Sequence, residues 1–171
     1  IPGTTWSSIC VSQYTASAIK TDGTLWTWGN NDNGHLGQNA PEASKRSSPT
    51  QIPGTTWSTV SENNDGVAAL KTDGTLWMWG VNTKGQLGVN DRTTRSSPVQ
   101  VPGTTWSKVD LGKSFIGAIK TDGTLWSWGY NWYGESGQNN TTKYSSPVQI
   151  GSGTDWYNVT TNRSIYAIKQ I

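Results

Sequence analysis

The chain has little of what most catalytic or metal-binding sites are made from: one cysteine, Cys10, and one histidine, His35. A single cysteine excludes an intrachain disulfide framework and any site built from several thiolates. Charged residues make up 14% of the sequence, the formal net charge is +2, and the cations are scattered singly. Without a basic stripe there is no nucleic-acid footprint. No apolar run approaches the ~20 residues that cross a bilayer, and the first residues carry no charged-then-apolar leader. Membrane insertion is therefore not expected. Glycine-rich phosphate motifs are absent, as are paired carboxylates and any Ser/His/Asp constellation. The expectation is a chain that is not an enzyme and needs no cofactor or metal.

What is abundant is tryptophan, 11 residues, and glycine, 20 residues, among many Ser, Thr, Asn and Gln. Large buried surface must come from indoles, and many aromatics with low net charge argue against disorder. The phrase Lys-Thr-Asp-Gly-Thr-Leu-Trp begins at Lys20, Lys71 and Lys120, spacings of 51 and 49 residues. Three more phrases keep step with it: Pro-Gly-Thr-Thr-Trp-Ser from Pro2, Pro53 and Pro102; Trp-x-Trp-Gly from Trp26, Trp77 and Trp126; Ser-Ser-Pro-x-Gln from Ser47, Ser96 and Ser145. Four phrases in register define a tandem repeat.

Each unit reads as four short strands. In the second, the first strand runs from Trp57 to Val60 and the second from Val67 to Lys71; a tight Asp73-Gly74 hairpin turn follows. The third spans Leu76 to Trp79, and the fourth starts at Pro98, an edge position because proline cannot donate to a ladder. Four antiparallel strands per ~40 to 50 residues make a β-propeller blade, which needs stacked neighbours to cover its faces. The fold expectation is all-β, with blade repeats at 1–51, 52–100 and 101–149 and a half-blade at 150–171. The paired indoles Trp26 and Trp28, Trp77 and Trp79, and Trp126 and Trp128 are assigned to packing between blades, facing the next blade. The residue between them, Thr27, Met78 or Ser127, points the other way and is free to vary.

Residues 20–37, with their copies at 71–88 and 120–137, closely resemble the regulator of chromosome condensation repeat. That resemblance implies a seven-bladed propeller presenting loops to a partner protein, and in style it is nearest to bacterial and phage members. Nucleotide exchange and photoreception, activities of particular members, are not carried over. The first depends on a loop insertion not found in these evenly spaced units. The second needs indoles clustered at a dimer face, whereas these are accounted for by the repeat.

First and second strands occur four times and third and fourth strands three times, giving 14 strands, or three and a half blades. Two such copies meet half-blade to half-blade of the same kind, out of phase. The ring is then completed either by a longer parent chain or by a homo-oligomer with an exchanged half-blade.

Single residues read mostly as structure. His35 is a solvent-facing loop residue whose equivalents are Gln86 and Glu135. Cys10 aligns with Thr59, Lys108 and Asn158. Asp22, Asp73 and Asp122 serve their turns, and the stretch Asn30 to Gly34 lacks the closing Glu of a calcium loop. Where other units carry Leu36 and Leu87, the third has Ser136, which loosens that loop. Function is sought in the connections that vary between units, on one rim. Aromatic and Arg side chains dominate binding hot spots, so Tyr14, Phe115, Trp132, Tyr133, Arg163 and Tyr166 are the partner-binding candidates. A protein partner is expected first. The alternative is a structural virion or cell-surface component, such as a phage tail or decoration protein, with glycan recognition; either suits an extracellular or virion-surface location.

Overall fold

The computed structural model describes residues 5–40 and 44–170, in which fourteen strands and no helix are found. The first blade comprises β1 (Trp6–Val11), β2 (Thr15–Lys20), β3 (Leu25–Gly29) and β4 (Arg46–Ile52). The second holds β5 (Trp57–Glu62), β6 (Gly66–Lys71), β7 (Leu76–Gly80) and β8 (Arg95–Gln100). The third holds β9 (Trp106–Leu111), β10 (Phe115–Lys120), β11 (Leu125–Gly129) and β12 (Tyr144–Gln149). A two-stranded sheet of β13 (Trp156–Thr161) and β14 (Ile165–Lys169) follows. Every sheet is an antiparallel meander in chain order. Part of the first Pro-Gly-Thr-Thr-Trp-Ser phrase, at 2–4, and residues 41–43 of a variable connection lie outside the described residues. Contacts between sheets run from β1 to β5, β5 to β9 and β9 to β13, and from each second strand to the next first strand. First strands therefore form the inner edge of the arc and fourth strands the outer edge.

The repeated heptad is accounted for residue by residue. Lys71 N donates to Thr75 O and Gly74 N to Lys71 O, both at 3.0 Å, and Gly74 has φ +77°. This is a three-residue loop ending in a left-handed glycine, one residue longer than a bare Asp-Gly turn. Asp73 Oδ1 accepts from Thr75 N at 2.9 Å and from Thr75 Oγ1 at 2.6 Å, and Trp77 Nε1 donates to Thr75 Oγ1 at 2.9 Å. These hydrogen bonds, first from the Thr75 hydroxyl and then from its amide, lower the Asp73 pKa. Lys71 Nζ stands 4.8 Å above the Trp57 ring and 4.4 Å above Trp77, a cation held between two indole faces. A Cβ on Gly74 would lie 2.4 Å from Thr104 O, because the next blade abuts the turn there.

Packing between blades reverses the expected direction of the Trp face. Trp79 Nε1 donates to His35 O at 2.7 Å and Trp128 Nε1 to Gln86 O at 2.9 Å. Each second Trp of the pair thus slides beneath the Gly-rich loop of the preceding blade. A Cβ on Gly88 would stand 2.6 Å from Trp128 Nε1, so glycine at that point makes room for the indole. Trp79 and Trp128 are fully buried, whereas Trp26, Trp77 and Trp126 are half-buried against the first-strand Trp of their own blade.

The intervening position varies in identity but is buried in every full blade, not unconstrained. Met78 is buried in a cluster with Trp106, Val109, Leu111 and Ile116 of the following blade. Thr27 and Ser127 are also buried, their hydroxyls donating to Leu36 O at 2.7 Å and Ser136 O at 2.9 Å. Both faces of strand three are interfaces, one to each neighbour.

The fourth strand begins earlier than Pro98. In the second blade it starts at Arg95, and the register slips between Met78↔Val99 and Gly80↔Arg95. Pro98 sits within that slip on the outer edge, where a missing N–H breaks no ladder.

Replacing Trp128 with alanine is expected to cost ~3 to 5 kcal/mol, as for other large buried aromatics. Trp132→Ala, at an exposed site, is expected to stay within ~0.5 kcal/mol of the parent chain. Urea unfolding of both variants beside the parent checks the contrast.

Candidate functional site

In an up-and-down blade the connections between strands one and two and between strands three and four emerge at the same end. Backbone bonds join them: Asn30 N to Tyr14 O at 3.0 Å, Val81 N to Asp65 O at 2.7 Å and Tyr130 N to Ser114 O at 2.8 Å. The first-to-second connections also bond laterally. Asn63 Nδ2 donates to Gly112 O at 2.6 Å, Lys113 N to Asn162 O at 3.1 Å, and Ser114 Oγ to Asp65 Oδ2. The rim is one continuous surface.

A buried asparagine holds each third-to-fourth loop in shape. Asn31, Asn82 and Asn131 accept from the N–H of Leu36, Leu87 and Ser136 at 2.9 to 3.0 Å. This gives the calcium-like stretch at 30–34 a structural role. Among the described residues no three His, Cys, Asp or Glu side chains cluster as metal ligands do.

The six partner-binding candidates separate into three groups. Tyr133 and Arg163 share a cleft of about 480 Å³ with Lys84, Lys113, Tyr130 and Glu135, and Trp132 lies beside it, 61% exposed. Lys143 Nζ stands 4.6 Å above the Trp132 ring and 4.9 Å above Tyr130. Desolvation, with Tyr133 and Glu135 adding to it, raises the Tyr130 hydroxyl pKa. Tyr14 is also exposed, in a separate cleft of about 370 Å³ with Asn30, Asp32, Asn33 and Asn64.

The last two candidates are not rim-loop residues. Phe115 opens β10 and is 1% exposed, so it belongs to the core: strand two is the most buried strand of each full blade. Tyr166 lies within β14 and is exposed, at the register position of Ser17, Ala68 and Gly117. Those three are small because the following blade lies against them: a Cβ on Gly117 would meet Ile165 and Val159 at 2.9 Å.

Three further expectations are corrected. His35 is only 7% exposed, and its backbone carbonyl receives the Trp79 N–H; burial lowers the imidazole pKa. The ladders align Cys10 with Ser61, Asp110 and Thr160, not with Thr59, Lys108 and Asn158. Burial raises the Cys10 thiol pKa, which makes it a poorer nucleophile. Ser136 is buried, and its loop is ordered by Asn131 like the other two, not loosened.

The aromatic and Arg criterion leaves out Lys84, Lys113 and Lys143; Tyr130 meets it but directly follows the Trp-x-Trp-Gly phrase and so reads as part of the repeat. The signal lay in the register: Gln13, Asn64, Lys113 and Arg163 occupy one position in successive units.

At the inner end of the same face is a second cleft, of about 550 Å³, partly lined by Glu62. Glu62 is buried between the first two blades, its Oε2 accepting from Ser17 Oγ at 2.5 Å and its Oε1 without a partner. Burial, opposed by the Ser17 hydroxyl and the Ser12 backbone, raises its pKa to about 7.

Stacked four-stranded sheets with a loop-built rim define a β-propeller blade array. Residues 22–62 and 73–119, just over half of the chain, match the Regulator of chromosome condensation (RCC1) repeat. The chain belongs to that family. No curated protein matches it in sequence. Among solved structures, Prp20p from Saccharomyces cerevisiae, studied for its binding to Gsp1p and histones, superposes with TM-score 0.81 at 16% identity. The match covers 97% of this chain and 44% of Prp20p. Yeast RCC1 (Prp20) with Kap60 bound gives 0.78 at 16% identity over 97% and 43%. Human WBSCR16 gives 0.76 at 20% identity over 92% and 42%. The chain spans less than half the length of these structures, and the likeness is one of fold.

Because Glu62 binds its proton more tightly folded than unfolded, its protonated form stabilises the protein below the ordinary carboxylate pKa of 4.5, and this is lost as pH rises through about 7. Stability is expected to fall by ~3 kcal/mol from about pH 4 to about pH 8 on this account. Glu62→Gln is expected to remove most of that slope, read from urea midpoints at several pH values.

Proposed function

We propose that this chain is a non-catalytic protein-interaction module whose rim loops dock a partner protein. In this reading residues 1–51, 52–100 and 101–149 act as blades and 150–171 as a half-blade. The observation that carries it is the gathering of Tyr130, Trp132, Tyr133, Lys113 and Arg163 around one cleft, at positions where the same frame elsewhere carries Asn30, Asp32, Asn33, Gln13 and Asn64. Exposed aromatics and arginine are the side chains that anchor interfaces. The opposite end of each blade, with its turn of constant sequence, offers no such variation. Solved relatives of the same fold add support, since Prp20p is described with Gsp1p, histones and Kap60 as its partners.

The ring is completed in this proposal by further blade surface, on a longer polypeptide or on another copy. Ile9 and Val11 on β1 and Ile168 on β14 are exposed where internal blades cover the matching positions Val109, Leu111 and Ile119.

The test is capture from a lysate on immobilised protein, beside a Trp132→Ala/Tyr133→Ala variant that unfolds at the same urea concentration. One or a few proteins retained by the parent and reduced about tenfold by the variant support rim docking, a loss of ~1.4 kcal/mol. Equal retention by both overturns it. Binding to a glycan array in place of protein capture indicates the surface-component alternative.

A further inference from the structure

We propose that the cleft between the third blade and the β13–β14 hairpin recognises an acidic segment of a partner protein, its carboxylates met by Lys84, Lys113 and Arg163. This rests on the interaction-module reading and gives the partner its chemistry. The three cations come from three successive repeats and line a single cleft of about 480 Å³. Among the described residues the ion pairs are Arg95–Asp91 and Lys169–Asp155, so none of the three is neutralised. Glu135 is the one carboxylate in the lining, and its Oε2 is engaged by Tyr133 N at 2.8 Å. Lys143, above Trp132 and Tyr130, adds a fourth cation at the margin.

The matching cleft between the first and second blades provides an internal comparison. There the positions of Lys113 and Arg163 are held by Gln13 and Asn64, which bond to each other: Gln13 N to Asn64 Oδ1 at 3.3 Å and Asn64 Nδ2 to Gln13 Oε1 at 3.2 Å. That lining contains Asp32 and no Lys or Arg. Of the three neighbouring pairs at this position, Gln13–Asn64 is a self-satisfied amide pair, Asn64–Lys113 carries one charge, and Lys113–Arg163 sets like charges side by side. Like charges held on adjacent loops repel unless an anion lies between them. The Arg163 guanidinium suits a bidentate carboxylate, and the Tyr130, Trp132 and Tyr133 rings offer apolar surface to the methylenes of Glu side chains.

A peptide fits better than a nucleic acid. The cations surround one cleft and do not follow a groove, whereas a single-strand binder tracks the backbone over several nucleotides.

The experiment is calorimetric titration of the full chain with an end-blocked hexaglutamate peptide, inorganic phosphate and an oligothymidylate, at low and near-physiological salt. Saturable hexaglutamate binding that weakens severalfold with added salt is expected, because exposed charges are screened beyond ~8 Å at physiological ionic strength. A Lys113→Gln/Arg163→Gln variant, altered at two exposed positions and expected to unfold at the parent's urea midpoint, should bind at least about tenfold more weakly. Lys45→Gln, exposed in the first repeat, should bind as the parent does.

No hexaglutamate binding at low salt overturns the proposal, as does equal binding by the double variant. Tighter binding of the oligothymidylate, or phosphate binding with no preference for the peptide, overturns it as well. Any of these leaves rim docking standing if partner capture still depends on Trp132 and Tyr133. Loss of that dependence with hexaglutamate binding intact sinks the module reading and spares the cleft's chemistry.

Discussion

The structure depends on one contact made twice among its full blades: the second Trp of strand three donates its indole N–H to a backbone carbonyl of the preceding blade's Gly-rich loop, Trp79 to His35 and Trp128 to Gln86. A four-stranded sheet of this size cannot cover its own faces, so the stacking of blades supplies most of the core. The indole fills that space with a large apolar surface while satisfying its one polar group. The glycines of the loop follow from it, since Gly37 and Gly88 stand where any Cβ would strike the ring.

The same constraint separates the two ends of each blade. The Thr-Asp-Gly turn is closed by Asp73 and Thr75 and pressed against the next blade at Thr104, which leaves little room for change. At the other end the asparagines at 31, 82 and 131 fix the loop from within. Side chains that point outward are thereby released from structural duty, and the rim accepts Asp32, Thr83 or Trp132 at one position without altering the frame. Variation at that end, on a backbone that barely changes, is what makes it suitable for recognition.

Much of this was legible in the repeated phrases. The period, the four strands of each unit and the half-blade could be read directly, because turns and strand alternation are local chemistry. The placement of Trp132, Tyr133 and Arg163 outside the packing pattern was legible too, from their departure from the other units. Phe115 was misplaced because its neighbours in register are Thr15 and Gly66, small or polar residues that conceal how buried the position is. Tyr166 was misplaced because it is the one large residue at a strand-two position held elsewhere by Ser17, Ala68 and Gly117. The direction of the Trp face was reversed because a strand pattern shows that two faces alternate but not which neighbour each one meets.

The sequence by itself determined an all-β array of RCC1-type repeats, with the strands, turns and indole pairs in their order, since each rests on residues a few positions apart. Only the tertiary structure decided that Lys84, Lys113 and Arg163 border one cleft, that Glu62 is enclosed beside Ser17, and that Met78 and Trp79 face opposite neighbours. Those relations join residues of different repeats, and stacking each blade on the next is the step that turns such a separation along the chain into contact.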